Sequence, residues 1–333
     1  MFFYGKIASI YNGWNTYAAI IYNINGGEIM DINKKTEETS NLSFANPVYD
    51  STTGAAIWSY IYFGSYPQTE IKGDNLDSVV REAEYNQDGD AWANGIKYRK
   101  ITRENTESPD FFGNAPFRYF KWEKIKWKVL WNDGKTIFVA AEKGIDCKPY
   151  NDVNESVTWE NCTLRQWLNN DFWNTAFDSI EQKAVITSQV QNEPMPSYKA
   201  GNGNNTNDKI YLLSIPELRN PAYGFWEEKM DWEHKKDKKM NRRIKPSDYA
   251  HARGVRVCTS KDTMALVTQQ SIGKCSYWLR SRCSYTHYGA EVAESGAVFT
   301  VGYYNYRQIK QNAVVPVMHI GLEGLADILK VNQ

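Results

Sequence analysis

The 333-residue chain balances 39 Lys and Arg against 39 Asp and Glu, with 42% hydrophobic and 14% aromatic residues. That balance argues against the one-sided electrostatic footprint of a nucleic-acid or anionic-membrane binder. No apolar run is long enough to span a bilayer, and the start MFFYGKIASIYNGW lacks a basic region followed by an apolar one. Residues 1–56 alternate short aromatic or β-branched runs with turn signals such as Asn25-Gly26-Gly27, which predicts a small β-rich extension. From Ile57 the pattern changes, and IWSYIYFGSYPQTE reads as a strand ended by Gly64 and Pro67. A helix is expected from Asp74 through DNLDSVVREAEY, followed by a long polar loop over residues 86–116.

The clearest hairpin follows. In FRYFKWEKIKWKVLWNDGKTIFVAAEK, Ile125, Trp127, Val129 and Trp131 alternate, and Asn132-Asp133-Gly134 supplies the turn. Residues 163–177 carry Leu164, Trp167, Leu168 and Phe172 on one helical face. Asp178 with Glu181, and Ser214 with Glu217 after the strand-like KIYLLS, have the spacing of capping boxes. The tail AVVPVMHIGL returns to strands. Mixed strands, few helices and long loops predict an α+β fold.

Chemistry-bearing motifs are sparse. The loop Asn86–Asp90 resembles a calcium loop, but Ala91 stands where Gly is needed and Lys97 where Glu is needed. Cys147, Cys162, Cys258, Cys275 and Cys283 form no CxxC pair, so neither metal nor cofactor is expected; Cys147–Cys162 and Cys275–Cys283 are the conceivable disulfides. The basic run from His234 through Arg242 and Arg243 has no interleaved aromatic and reads as a solvated loop. His251 and His319 read as structural. Cys283 and His287 stand four apart, a spacing that does not make a catalytic pair.

Residues 277–316 stand out. After Trp278-Leu279 come Arg282, Cys283, Ser284, Tyr285, Thr286, His287 and Tyr288 with no periodicity, and a second cluster holds Tyr303, Tyr304, Asn305, Tyr306 and Arg307. Burial would strand many hydroxyls without partners. Tyr gives rigid amphipathic contact area and Ser and Asn give adaptable hydrogen bonds, so these clusters read as a displayed surface. Trp127, Trp167, Trp278, Leu279 and Arg280 read as scaffold beneath it.

Taken in order, YFGSYPQTE, IKWKVLW, TWENCTLRQWLNNDFWNTAF, NDKIYLLS, SDYAHARG, YWLRS and VVPVMHIGL resemble a bacterial family of C-type-lectin-fold domains, of the formylglycine-generating-enzyme-like branch. That family includes the variable proteins of diversity-generating retroelements. The resemblance covers roughly residues 57–322. It implies a C-type-lectin-like domain over 57–333 whose region 277–316 binds a protein or glycan ligand, displayed at a cell surface or on a phage tail. In such proteins AAC codons scatter into a defined residue set, and Arg282 through Tyr288, Thr300 and Tyr303 through Arg307 all belong to it. The oxidases of the superfamily use a cysteine pair near a GFR-like end. Here that end reads Val314-Val315-Pro316, so recognition without catalysis is expected, with a non-variable surface adhesin domain or a formylglycine-generating-type oxidase as the alternative readings.

Overall fold

The computed structural model describes residues 43–73, 76–106, 109–153, 155–192, 203–227, 241–260, 269–282, 289–299 and 312–331. In chain order they form Val48–Tyr49 (β1), Ala56–Ile57 (β2), Tyr60–Ile71 (β3), Ser78–Arg81 (α1), Asp90–Ala93 (β4) and Ile96–Thr102 (β5). Next come Pro109–Phe112 (α2), Phe117–Asn132 (β6), Thr136–Ala141 (β7), Asp146–Cys147 (β8), Thr163–Trp167 (α3) and Trp173–Ala176 (α4). Glu181–Ala184 (α5), Val185–Ile186 (β9), Ser188–Val190 (β10), Thr206–Asp208 (β11), Ile215–Leu218 (α6) and Asp248–Arg253 (α7) lead into Tyr277–Arg282 (β12). Gly289–Val292 (β13), Val298–Phe299 (β14), Ala313–Val314 (β15), Val317–Gly321 (β16) and Leu322–Val331 (α8) complete the described chain.

Two sheets dominate. The larger has the order β4-β5-β6-β7-β16-β9, with β3 also on β6; the smaller runs β14-β13-β12-β15-β8. Mixed sheets with short helices make this an α+β architecture. The sheets are joined where two chain segments cross from one to the other side by side. Ala140 pairs with Val317, Ala141 N–H donates to Pro316 O at 2.9 Å, Ile145 N–H donates to Val314 O at 3.0 Å, and Cys147 pairs with Ala313. At the crossing a Cβ on Gly144 would stand 2.4 Å from that of Ala313, so only glycine fits.

The core is aromatic, as the composition suggests. Trp127 and Trp159 are fully buried, and each indole N–H is satisfied: Trp127 donates to Phe63 O at 2.8 Å and Trp159 to Asp208 Oδ2 at 2.9 Å. The Asn132–Gly134 turn joins β6 to β7, with Gly134 at φ 87°. Ser214 and Glu217 form the expected capping box. At the other site Asp178 Oδ1 accepts from Glu181 N–H at 2.8 Å while Glu181 Oε2 accepts from Asp178 N–H at 3.2 Å.

Several expectations are corrected. β3 runs through Gly64 and Pro67, because register shifts between Tyr62 and Ser65 and between Pro67 and Thr69 absorb both residues. The supposed loop over 86–116 contains the β4–β5 hairpin, turned by Asn94 and Gly95 at φ 50° and 74°. The expected helix from Asp74 shrinks to α1, capped by Asp77. KIYLLS is no regular strand; it meets the larger sheet at the Tyr211–Val317 bridge and β12 through Leu213 O, which accepts from Arg280 N–H at 3.0 Å. Cys147, Cys162, Cys258 and Cys275 are free, buried thiols, so neither conceivable disulfide forms. Arg242 is 1% exposed rather than solvated, donating to Leu218 O and Trp226 O. Phe44 lies in the main core, so the described end of the expected extension packs onto the domain; residues 1–42 lie outside the described residues.

Gly144→Ala is expected to destabilise by about 1–3 kcal/mol through overpacking, measured by urea unfolding, and adding Ala313→Gly should recover part of that loss. The two structural histidines set a pH dependence. His319 stacks on Phe138 at 4.7 Å with Nδ1 shared between Ser188 Oγ and Tyr211 OH, and His251 meets the Phe111 ring at 4.8 Å. Burial holds both imidazoles below their ordinary value, against a weaker pull from nearby carboxylates. As pH falls below about 6.5 the unfolded chain takes up protons that the folded one resists, so stability declines. Melting temperatures should drop between pH 7.5 and 5, with a shallower slope in His319→Gln.

Candidate functional site

The residues singled out in the sequence border the smaller sheet. All six side chains of β12 are buried, an unusual state for YWLRSR, and each polar one has a named partner. Tyr277 OH donates to Arg242 O at 3.0 Å, and Trp278 Nε1 donates to Lys148 O at 2.9 Å. Arg280 forms a forked pair with Glu217, one arm at 3.0 Å, and donates further to Leu212 O and Gln191 O. Ser281 Oγ accepts from Ile215 N–H at 3.0 Å. Tyr150 OH donates to the Arg280 carbonyl at 3.1 Å. Trp278, Leu279 and Arg280 are therefore scaffold.

Arg282 departs from expectation. It is 8% exposed, and its Nη2 donates to Ser156 Oγ at 3.0 Å, so it belongs with the scaffold rather than a displayed surface. Opposite it Gly289 opens β13, and a Cβ there would meet the Tyr150 ring at 2.9 Å. Cys283, Ser284, Tyr285, Thr286, His287, Tyr288, Thr300, Tyr303, Tyr304, Asn305, Tyr306 and Arg307 lie outside the described residues. Their anchors are described. Arg282 and Gly289 are cross-strand partners, and Phe299, which precedes the second group, pairs with Glu291 on the neighbouring strand. Both groups thus follow, along the chain, strands that flank β13. On the return side Asn312 donates to the Glu291 carboxylate, whose pKa burial pushes up and that bond pulls back.

Beside this sheet the 148–152 segment forms one wall of an open cleft of about 320 Å³, lined by Lys148, Asp152, Gln166, Trp167, Asn170 and Asp171 among others. Trp167, expected in the core with Trp127, is only half-buried here, with the Lys148 ammonium 5.1 Å from its ring. The helix over 163–176 is broken by a π-turn at Leu168–Phe172, which bears Asn170 and Asp171. Such turns are frequent at functional sites. The signal was present in the Asn169-Asn170-Asp171 run, residues that compete with helical backbone bonding. Asn169 does so, its side-chain amide donating to Arg165 O one turn back at 3.1 Å.

Chemical reactivity is not favoured by these surroundings. Burial pushes the Cys162 thiol up to about 12, and burial with the neighbouring Cys147 raises Cys275, the opposite of what a thiolate nucleophile needs. Among the described residues no group of three His, Cys, Asp or Glu side chains could hold a metal ion.

The Arg280–Glu217 pair gives a direct test of the scaffold. Glu217→Ala strands a buried guanidinium and is expected to cost about 3–5 kcal/mol in chemical unfolding, more than Ser156→Ala at the half-exposed Arg282 contact.

No curated protein matches the chain, and no solved structure matches it. A family model described as "Domain of unknown function (DUF6273)" matches residues 134–321, more than half of the 333 residues. The matched span runs from the β6–β7 turn to the end of β16 and contains both crossing segments, the Arg280–Glu217 pair and the polar-aromatic groups. The chain belongs to the DUF6273 family.

Proposed function

We propose that this protein is a recognition module whose fixed scaffold presents residues 283–288, 300 and 303–307 to a protein or glycan ligand. The finer reading is a C-type-lectin-type fold of the formylglycine-generating-enzyme-like branch, with those positions diversified by retroelement mutagenesis and displayed at a cell surface or phage tail. One observation supports this most. A strand with every side chain buried and every polar one bonded gives way at residue 283 to a run of Ser, Tyr, Thr and His that no apolar residue interrupts, and the second polar-aromatic run follows the next-but-one strand of the same sheet. The tyrosines act as anchors, and their polar neighbours give specificity. No covalent step is involved.

Sequencing the gene from independent isolates tests the diversified surface. Substitutions should fall at adenines in codons 283–288, 300 and 303–307, while the Trp278, Arg280 and Arg282 codons stay constant. Changes spread evenly across residues 134–321 would overturn it. Recognition itself is tested by replacing Tyr285, Tyr288, Tyr303, Tyr304 and Tyr306 together with Ala. Each is expected to change stability by less than about 0.5 kcal/mol while adhesion to target cells is lost. Unchanged adhesion, or global unfolding, would refute the assignment.

A further inference from the structure

A second face of the molecule gathers Lys126, Lys128, Lys245, Lys274 and Arg243, with Glu142 as an acid among them. On β6, Lys126 and Lys128 lie two residues apart and so on one side of the sheet. Each is held by an aromatic ring: Lys126 Nζ sits 4.0 Å from the Tyr60 ring centre and Lys128 Nζ 4.8 Å from that of Trp58. Glu142 pairs with Lys126 at 3.1 Å. The chain then brings in more cations. Gly144 N–H donates to Lys245 O at 3.1 Å, and the antiparallel Ile244–Cys275 bridge sets Lys245 opposite Lys274 and Arg243 opposite Ser276. Arg243 is turned toward this strand pair by bonds to Ser295 O at 2.8 Å and Gln270 Oε1 at 2.9 Å.

The electrostatics record the crowding. Burial, with the charges of Lys274 and Lys126 added, brings the Lys128 ammonium down to about 8 despite Glu142. Burial, Lys245 and Arg243 likewise lower Lys274. A ring face orients an ammonium but leaves its charge uncancelled, and a desolvated cation among like charges is costly unless an anion completes it. In a chain with no net charge this is a local arrangement, not a consequence of composition.

We propose that Lys126, Lys128, Lys245 and Lys274, with Arg243, form a binding site for a phosphate-type oxyanion. The site is independent of the recognition reading above. Its lysines present point charges on flexible stems, suited to a phosphate group approached from several sides rather than to a planar carboxylate.

Isothermal titration and thermal melts of the full chain with orthophosphate test this, against chloride at equal ionic strength. Phosphate should bind and raise the melting temperature where chloride does not. Lys128→Met and Lys274→Met should each weaken binding about tenfold or more, the loss of one charge-assisted contact, whereas Lys183→Met on α5 should leave it unchanged. Two variants guard against one of them misfolding. Long-chain polyphosphate serves as a second arm: tighter, Lys128-dependent binding of the polymer identifies a phosphate polymer as the source, and equal affinity per phosphate identifies the free ion. Equal effects of phosphate and chloride, or undiminished binding by both methionine variants, would overturn the proposal.

Discussion

The crossing of residues 140–147 with residues 313–317 is the contact on which the remainder of the architecture depends. Backbone groups at a boundary between two sheets must still be paired if they are buried. Here each crossing segment satisfies the other: Ala141 and Ile145 donate to Pro316 and Val314 on either side of the boundary. Pro316 has no N–H to give, which suits a position between two ladders. Gly144 lets the segments approach until Ala313 fills the space a side chain would need. From this junction β15 places β12 in parallel register through the Tyr277–Ala313 pair, and β12 in turn positions β13 and β14. Both strand ends bordering the polar-aromatic groups are therefore fixed by a contact at the far side of the sheet.

The second fixing element is polar. Arg280 reaches Glu217 on α6, Leu212 just before it, and Gln191, so one guanidinium ties β12 to two separate stretches of chain. Glu217 is held ready because the same carboxylate receives the Ser214 N–H at 2.8 Å in the capping box. A helix start and a strand centre thus share one acid. Both ends of this arrangement lose more than one contact if the acid is removed, which is why a buried polar network specifies geometry as well as stability.

Legibility in the sequence followed the strength of the local signal. The β6–β7 hairpin, the capping boxes and the buried Trp278-Leu279 pair were readable because alternation and turn chemistry agreed there. The β4–β5 hairpin was equally readable from Asn94-Gly95, but polar neighbours across residues 86–116 masked it. Gly64 and Pro67 were read as stops because each disfavours a regular strand, whereas a bulged strand accommodates both. Trp167 and Arg282 show the deeper limit. Residue type suggested core for the indole and surface for the guanidinium; the fold left Trp167 half-buried at the core's edge beside a π-turn and buried Arg282 against Ser156. Only long-range pairing decides such cases. The lysine–aromatic face was invisible for the same reason, since Lys128 and Lys274 meet only through long-range pairing.

That junction also sets an order on folding. Val317 meets Ala140 across a separation of more than half the chain length, so the loop to be closed is long. During synthesis β7 and β8 leave the ribosome well before β16 and β15, their partners at the junction, exist. Neither sheet can close until residues 313–321 have emerged, and up to that moment the nascent chain presents unpaired strand edges. A chain whose closing strands emerge so long after β7 and β8 depends, in the cell, on steady elongation through the residues between them or on a chaperone that shields those edges until then.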